Sequence, residues 1–318
     1  MNADVGGVPA KARRMLRALV VMVCALGLVA AMSGSALAKK QGHKPKTPKI
    51  TPHTAITKGS TYLALGDSVT FGYEEPQVVP APNYHDPASF VAYPELLGKE
   101  LHLKIVNAAC AGDTSASLIN PTAQSNGCEN TPGKGNVGYR TLYPLHAHYN
   151  GSQLAFAVSY LRKHHNVRLV SLMIGANDGF VCQETTADKC TSLTEQAALA
   201  TGIEKNVKTI LSAIRNKARY GGQIAIVNYY SLNYASSTDN ANSTLLNRSI
   251  DAAARPFHVE IADGFGELQA GALHSGGNTC TAGLLTQLVG APTPCGIHPS
   301  YAGQSLLAQA VEKAIRIG

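Results

Sequence analysis

Short apolar runs alternate with segments of helical periodicity along the chain after residue 60. The apolar runs predict β-strands, and segments with apolar side chains three and four positions apart predict helices. The predicted strands are 61–65, 104–108, 168–174, 223–228 and 258–262, and the predicted helices are 89–101, 153–163, 193–218, 243–254 and 300–315. This alternation is typical of a parallel sheet flanked by helices. We therefore predict an α/β fold, a three-layer α/β/α sandwich with a mostly parallel five-stranded sheet.

Long irregular loops separate several of these elements. They span residues 74–87, 115–147, 180–191, 231–240 and 264–297. Loops of this length are usually functional. Four of them follow a predicted strand, and open α/β sheets bind ligands outside the carboxyl ends of their strands. We therefore expect a binding pocket at this edge of the sheet.

The N-terminal part of the chain differs from the rest. Residues 1–38 combine a basic start, an apolar stretch at 18–31 and the sequence Ala36-Leu37-Ala38, which is the pattern of a cleaved export signal. Residues 39–59 are rich in Lys, Pro and Thr and contain little to bury, which predicts a disordered tether. We expect a secreted protein, exported by the general secretory or the twin-arginine route, whose folded domain covers residues 60–318.

The positive charge of the chain lies outside this predicted domain. Ten Lys or Arg and one Asp give residues 1–59 a net charge of +9, which leaves −2 of the total of +7 for the remainder. Nucleic-acid binding requires a basic face on the folded domain itself, so we expect no nucleic-acid partner. We expect a monomer whose basic tether makes at most weak contact with anionic surfaces.

Six cysteines remain once the predicted signal is removed. An even number of cysteines in an exported chain indicates disulfides. Fifteen pairings are open to six cysteines, and the three local couples favour Cys110–Cys128, Cys182–Cys190 and Cys280–Cys295. A zinc site is the alternative, but the chain has no CxxC pair of the kind that zinc sites use. We expect no metal and no cofactor.

Four short sequences contain candidate chemistry. Gly66-Asp67-Ser68 follows the first predicted strand, where an α/β sheet presents a nucleophile. Gly112 and Asn177 follow the second and third strands, and His298 stands just before the last helix. Each sequence alone is also ordinary turn chemistry. Their common placement makes them a candidate site.

In order and context, these four sequences resemble the SGNH hydrolases, also called the GDSL esterase/lipase family. The resemblance covers residues 60–318, and the four residues that name the family fall on Ser68, Gly112, Asn177 and His298. The three cysteine couples are similar to those of the secreted actinobacterial lipases of the family. The resemblance implies an SGNH-hydrolase-like fold and a serine esterase or lipase that cleaves carboxylic esters.

Ester hydrolysis needs a nucleophile, a base and donors for the developing oxyanion. We expect Ser68 Oγ to attack the ester carbonyl and His298 to act as the base. The backbone N–H groups of Ser68 and Gly112 and the side-chain amide of Asn177 are the expected oxyanion hole. Asp67 is interpreted as structural.

The chain departs from the family at the group that orients the histidine. Most members carry Asp three residues before it, where this chain has Cys295. We expect the backbone carbonyl of Cys295 to accept a hydrogen bond from His298 Nδ1, giving a Ser–His dyad, and Asp263 is the alternative. A carbonyl fixes the tautomer and orientation of the ring but supplies no negative charge.

The disulfide pattern and the long, moderately apolar loops favour lipid acyl esters as substrates. The first alternative is a carbohydrate O-acetyl esterase. An alternative of another class is a catalytically inactive surface-binding protein on the same fold, although such a protein has no need of all four chemical residues. The expected partner is therefore a small-molecule or lipid ester.

Overall fold

The protein is described by a computed structural model that covers residues 51–135 and 137–318. Five parallel strands form the central sheet in the order β2-β1-β3-β4-β5. These strands are β1 (Thr61–Gly66), β2 (Lys104–Asn107), β3 (Val167–Met173), β4 (Gln223–Val227) and β5 (Glu260–Ala262). Each lies within about two residues of a predicted strand, as expected for buried apolar runs. The predicted α/β fold is confirmed.

Helices connect and flank the strands. They are α1 (Ser68–Phe71), α2 (Tyr93–Glu100), α3 (Ser115–Ile119), α4 (Tyr139–Leu142), α5 (Gln153–Lys163), α6 (Ala176–Thr185), α7 (Leu193–Ser212), α8 (Ser237–Ala254), α9 (Gly264–Ala272) and α10 (Tyr301–Ala314). Helices α3, α4 and α9 lie wholly, and α6 partly, in segments predicted as loops. Helix α6 lacks a regular apolar stripe, and α9 contains three glycines, which lower helix propensity.

The sheet order places the candidate sequences side by side. Strand β1 pairs with β2 on one side and with β3 on the other. All six residues of β1 are buried, so it forms the centre of the core. Because the strands are parallel, Ser68, Gly112 and Asn177 all follow carboxyl ends at the same edge of the sheet.

Residues 51–59 belong to the folded domain, so the predicted tether boundary at residue 60 is wrong. The side chain of Ile56 is buried, and its N–H donates to the Arg316 carbonyl at 2.9 Å. The side chain of Gln223 donates to the Thr54 carbonyl at 2.8 Å. Ile56 is a single buried apolar residue in a mostly polar stretch, so the sequence pattern does not indicate its burial. The predicted signal peptide and residues 39–50 of the predicted tether lie outside the described residues.

The three expected disulfides are present, with Cα–Cα distances of 5.6, 5.5 and 5.8 Å in chain order. The last of them, Cys280–Cys295, anchors an antiparallel pair of strands, β6 (Leu285–Gln287) and β7 (Cys295–Pro299), in a segment predicted as a loop. Strand β7 contains His298 and leads into α10. None of the helices between residues 51 and 318, leaving aside residue 136, has the length and apolar character needed to cross a membrane.

Candidate active site

The turn from β1 into α1 presents the candidate nucleophile. Ser68 is the first residue of α1, and Asp67 caps this short helix by accepting a hydrogen bond from Val69 N–H at 3.0 Å. The other oxygen of Asp67 accepts from the Tyr229 hydroxyl. With both carboxylate oxygens engaged, Asp67 supports the turn, in agreement with its structural interpretation.

The candidate base lies directly beside this serine. His298 Nε2 is 3.0 Å from Ser68 Oγ, which is hydrogen-bond distance. The ring of His298 is nearly enclosed, and the ring of Tyr73 packs edge-on against it with the centroids 4.9 Å apart. The structure therefore brings together the two residues for which proton transfer was expected.

Glu75, which we did not predict, forms the hydrogen bond to the other ring nitrogen of His298, Nδ1. Its Oε1 lies 2.7 Å from His298 Nδ1 and also accepts from Ile297 N–H at 3.1 Å. Its Oε2 accepts from the Thr286 hydroxyl at 2.6 Å. A Cβ at Gly296 would overlap the Glu75 carboxylate and lie 2.5 Å from Thr286 Oγ1. The glycine thus leaves the space in which the carboxylate sits.

Both expected partners of His298 Nδ1 are therefore wrong. The Cys295 carbonyl accepts instead from the Thr293 hydroxyl at 3.1 Å. Asp263 is exposed and caps α9, where it accepts from Gly266 N–H at 3.0 Å and from the Asn228 amide at 3.2 Å. The Glu75 carboxylate, from the loop after α1, occupies the position beside His298 Nδ1 instead of either group.

The electrostatics of the site favour an ionised Glu75. Burial alone would raise the pKa of Glu75, but the hydrogen bond and charge of His298, together with the Thr286 hydroxyl, lower it to about 2. At Asp67 burial is the stronger effect, and it raises the pKa to about 6 despite the hydrogen bonds from Tyr229 and Val69. Glu75 is therefore a carboxylate at neutral pH and can face a positively charged imidazole.

Gly112 and Asn177 are the expected oxyanion donors that come from outside the Ser68 turn. Gly112 has φ +86°, and a Cβ there would lie 2.5 Å from the Asn126 carbonyl oxygen, so the position requires glycine. Asn177 Nδ2 donates to the Asp113 carbonyl at 3.1 Å, and Asn177 Oδ1 accepts from Asn126 Nδ2 at 2.9 Å. Asn126, which we did not predict, therefore fixes the orientation of the Asn177 amide.

Buried polar side chains tie the three strand ends together. Gln153 accepts from Gly66 N–H at 2.7 Å and donates to a carboxylate oxygen of Asp113 at 2.9 Å. Asp178 accepts from the N–H and the hydroxyl of Ser115 at 2.7 and 2.5 Å. Such fully engaged buried networks hold loops in one arrangement. They supply the rigidity that preorganised oxyanion donors need.

A cavity of about 680 Å³ contains Ser68, His298, Gly112 and Asn177 in its wall. Apolar side chains from α6, α7 and α8 form much of the remaining wall: Phe180, Leu199, Ala200, Ile203, Leu245 and Leu246. Among the described residues that line the cavity, none is Lys or Arg. The space beside the candidate nucleophile is thus largely apolar and lacks cationic side chains.

A parallel α/β sheet that presents a serine, a histidine and a carboxylate in hydrogen-bonded series defines the class of serine hydrolases. The sequence profile of the GDSL-like Lipase/Acylhydrolase family matches residues 64–306, and the chain belongs to this family. Its members are serine ester hydrolases, and so is this protein.

Several solved structures are similar to this chain. Phospholipase A1 from Streptomyces albidoflavus is 18% identical with a TM-score of 0.51, and the match covers 80% of this chain and 99% of that one. A putative GDSL-like lipase from Parabacteroides merdae is 16% identical with a TM-score of 0.50, covering 84% and 98%. An acetylxylan esterase from Geobacillus stearothermophilus is 16% identical with a TM-score of 0.49, covering 83% and 98%. No curated protein sequence matches the chain significantly.

Proposed function

We propose that this ester hydrolase cleaves acyl esters of lipids through a Ser68–His298–Glu75 triad. Ser68 Oγ attacks the ester carbonyl carbon while His298 Nε2 takes the hydroxyl proton. The tetrahedral intermediate collapses as His298 returns that proton to the leaving alcohol, and the acyl group remains on Ser68. Water then attacks the acyl carbon, His298 takes a proton from the water, and the carboxylic acid leaves as the proton returns to Ser68.

Glu75 and the oxyanion donors lower the barrier to these steps. Glu75 holds the proton on His298 Nδ1, so that Nε2 is free to accept, and its charge stabilises the imidazolium that forms in each transition state. The N–H groups of Ser68 and Gly112 and the amide of Asn177 receive the oxyanion. Each such donor is typically worth about 10²–10³ in rate.

The apolar wall from α7 and α8 is the observation that supports a long acyl chain. A Cβ at Gly175, two residues before Asn177, would lie 2.9 Å from Leu246 Cδ1 and 3.4 Å from Ile203 Cγ2. The aliphatic wall therefore begins beside the oxyanion donor, where the acyl carbonyl would sit. Each methylene buried there gains about 0.8 kcal/mol, which a short acetyl group cannot use.

We also propose that the protein is secreted. The three disulfides support this proposal, because disulfides persist in oxidising compartments. The pattern expected of residues 1–38 supplies the export signal.

The test is the kcat/KM for p-nitrophenyl esters with acyl chains from two to about sixteen carbons. We expect kcat/KM to rise with chain length by about fourfold per methylene until the wall is filled. Ala200→Phe, which adds a ring inside the cavity, should lower turnover of long chains far more than turnover of the acetyl ester.

Ala198→Phe is the matched control, because Ala198 is on the same helix but exposed and outside the cavity. A kcat/KM that is highest for the acetyl ester and falls with each added carbon would favour the carbohydrate O-acetyl esterase instead. No turnover of any ester, in a protein that folds normally, would favour the inactive binding protein.

A further inference from the structure

Four exposed apolar side chains surround the cavity that contains Ser68. Val137, Leu142, Leu232 and Ile297, here called the apolar rim, all line this cavity and are between 37% and 54% exposed. Scattered exposed apolar residues are ordinary on protein surfaces. These four come from three separate parts of the chain and converge on one cavity, which is the arrangement expected of an interaction surface.

Two members of the apolar rim lie on regular elements of the site, whereas Val137 and Leu232 lie in loops. Leu142 ends α4, and Ile297 lies in β7 next to His298. The Ile297 carbonyl accepts from the Tyr230 hydroxyl at 2.6 Å, and the Ile297 N–H donates to Glu75. These two hydrogen bonds fix the backbone of Ile297 beside the candidate triad, so its exposed side chain has a defined position.

The charges around the cavity narrow the choice of partner. Its described lining residues include no Lys or Arg, and of the two carboxyls among them Asp67 is buried, which leaves Asp239 as the one that can face a partner. Asp239 is partly exposed in the first turn of α8. Asp239 would attract the ammonium group of a zwitterionic lipid, and no cationic side chain in the cavity wall favours an anionic one.

We propose that the apolar rim docks onto the surface of an aggregated zwitterionic lipid and so presents an ester from the aggregate to Ser68. This inference rests on the proposed function. About half of each rim side chain is still exposed in the free protein, so its burial in the lipid should strengthen binding by about fivefold per residue.

The experiment is vesicle flotation of the full chain with Ser68→Ala, which prevents hydrolysis, on phosphatidylcholine vesicles. Adding Val137→Gln and Leu142→Gln should weaken binding about 25-fold, and Leu142→Trp should strengthen it, because Trp favours lipid–water interfaces. Leu193→Gln and Leu273→Gln are matched controls, since both leucines are strongly exposed but neither lines the cavity. Unchanged thermal unfolding of each variant confirms its fold.

Two results would overturn the inference. One is equal binding by the rim variants and the controls. The other is binding that requires anionic vesicles and disappears in high salt, which would assign it to the basic tether. Hydrolysis of detergent-dispersed long-acyl esters by the unaltered enzyme is measured in parallel. If those esters are not cleaved, the proposed function fails; if they are cleaved while the rim variants bind normally, only the docking surface fails.

Discussion

Glu75→Gln tests the assignment that separates this site from a Ser–His dyad. The substitution keeps the size of the side chain and removes its charge. The carboxylate approaches His298 Nδ1 at 2.7 Å, and unit charges whose centres are about 4 Å apart interact by roughly 4 kcal/mol at an effective dielectric constant of 20. Because the imidazolium forms only during the reaction, most of this energy is lost from the transition state. We expect kcat to fall by about 10²–10³.

The assay is steady-state hydrolysis of a soluble p-nitrophenyl ester at neutral pH, with kcat and KM determined separately. KM should change little, because Glu75 does not line the cavity. Asp263→Asn is the control and should retain full activity, since Asp263 contacts the α9 N-terminus and Asn228 and not His298. A fall in kcat of less than about tenfold for Glu75→Gln would show that the charge of Glu75 contributes little, because a neutral carbonyl would then orient His298 equally well.

Three further substitutions probe the residues around the triad. Gly296→Ala should lower kcat at least about tenfold in the same assay, because the new Cβ displaces the Glu75 carboxylate. Asn126→Ala should also lower kcat about tenfold with little change in KM, because it releases the Asn177 amide. Burial raises the pKa of Asp67 to about 6, so its ionised form reduces stability as pH rises from about 4 through 6. The melting temperature of Asp67→Asn relative to wild type should therefore rise between about pH 4 and pH 8.

Each of these three predictions has a result that contradicts it. Gly202→Ala is the control for Gly296→Ala, because a Cβ on this α7 glycine would meet no atom within 4 Å; equal activity of the two variants would show that Glu75 had not been displaced. Wild-type kcat in Asn126→Ala would mean that the Asp113 carbonyl orients the Asn177 amide alone. A melting-temperature difference that is constant with pH would mean that the hydrogen bonds from Tyr229 and Val69 fully offset the burial of the Asp67 carboxyl.

The central sheet could be predicted from the sequence because each strand is specified by its own residues. Strand β1 is an unbroken buried run. A run of this kind is visible in the local sequence without knowledge of the strands that pair with it. Helix α9 could not be predicted, since its glycines oppose a helix and its stability comes from the Asp263 cap and from packing against α10. The local sequence pattern therefore predicts β1 but not α9, whose stability depends on residues outside the helix.

The orienting group could not be predicted for the same reason. The contact between Glu75 and His298 joins residues 223 positions apart. The absence of the family's usual Asp at Cys295 indicates that another group must replace it, but several long loops offer carboxylates. The space at Gly296 and the donors Thr286 and Ile297 distinguish Glu75, and they come together only in the folded chain. Asn126 was missed likewise, because it meets Asn177 across 51 positions.

In the proposed mechanism Ser68 is a nucleophile activated by His298 and Glu75. The most direct measurement is the rate and site of labelling by a fluorophosphonate, which a nucleophilic serine attacks with release of fluoride. Mass spectrometry of the digested protein should find one adduct per chain, on the peptide that contains Ser68. Labelling should be at least about 100-fold slower in Glu75→Gln and slower still in His298→Ala. An adduct on a different residue, or wild-type labelling rates in both variants, would show that His298 and Glu75 do not activate Ser68.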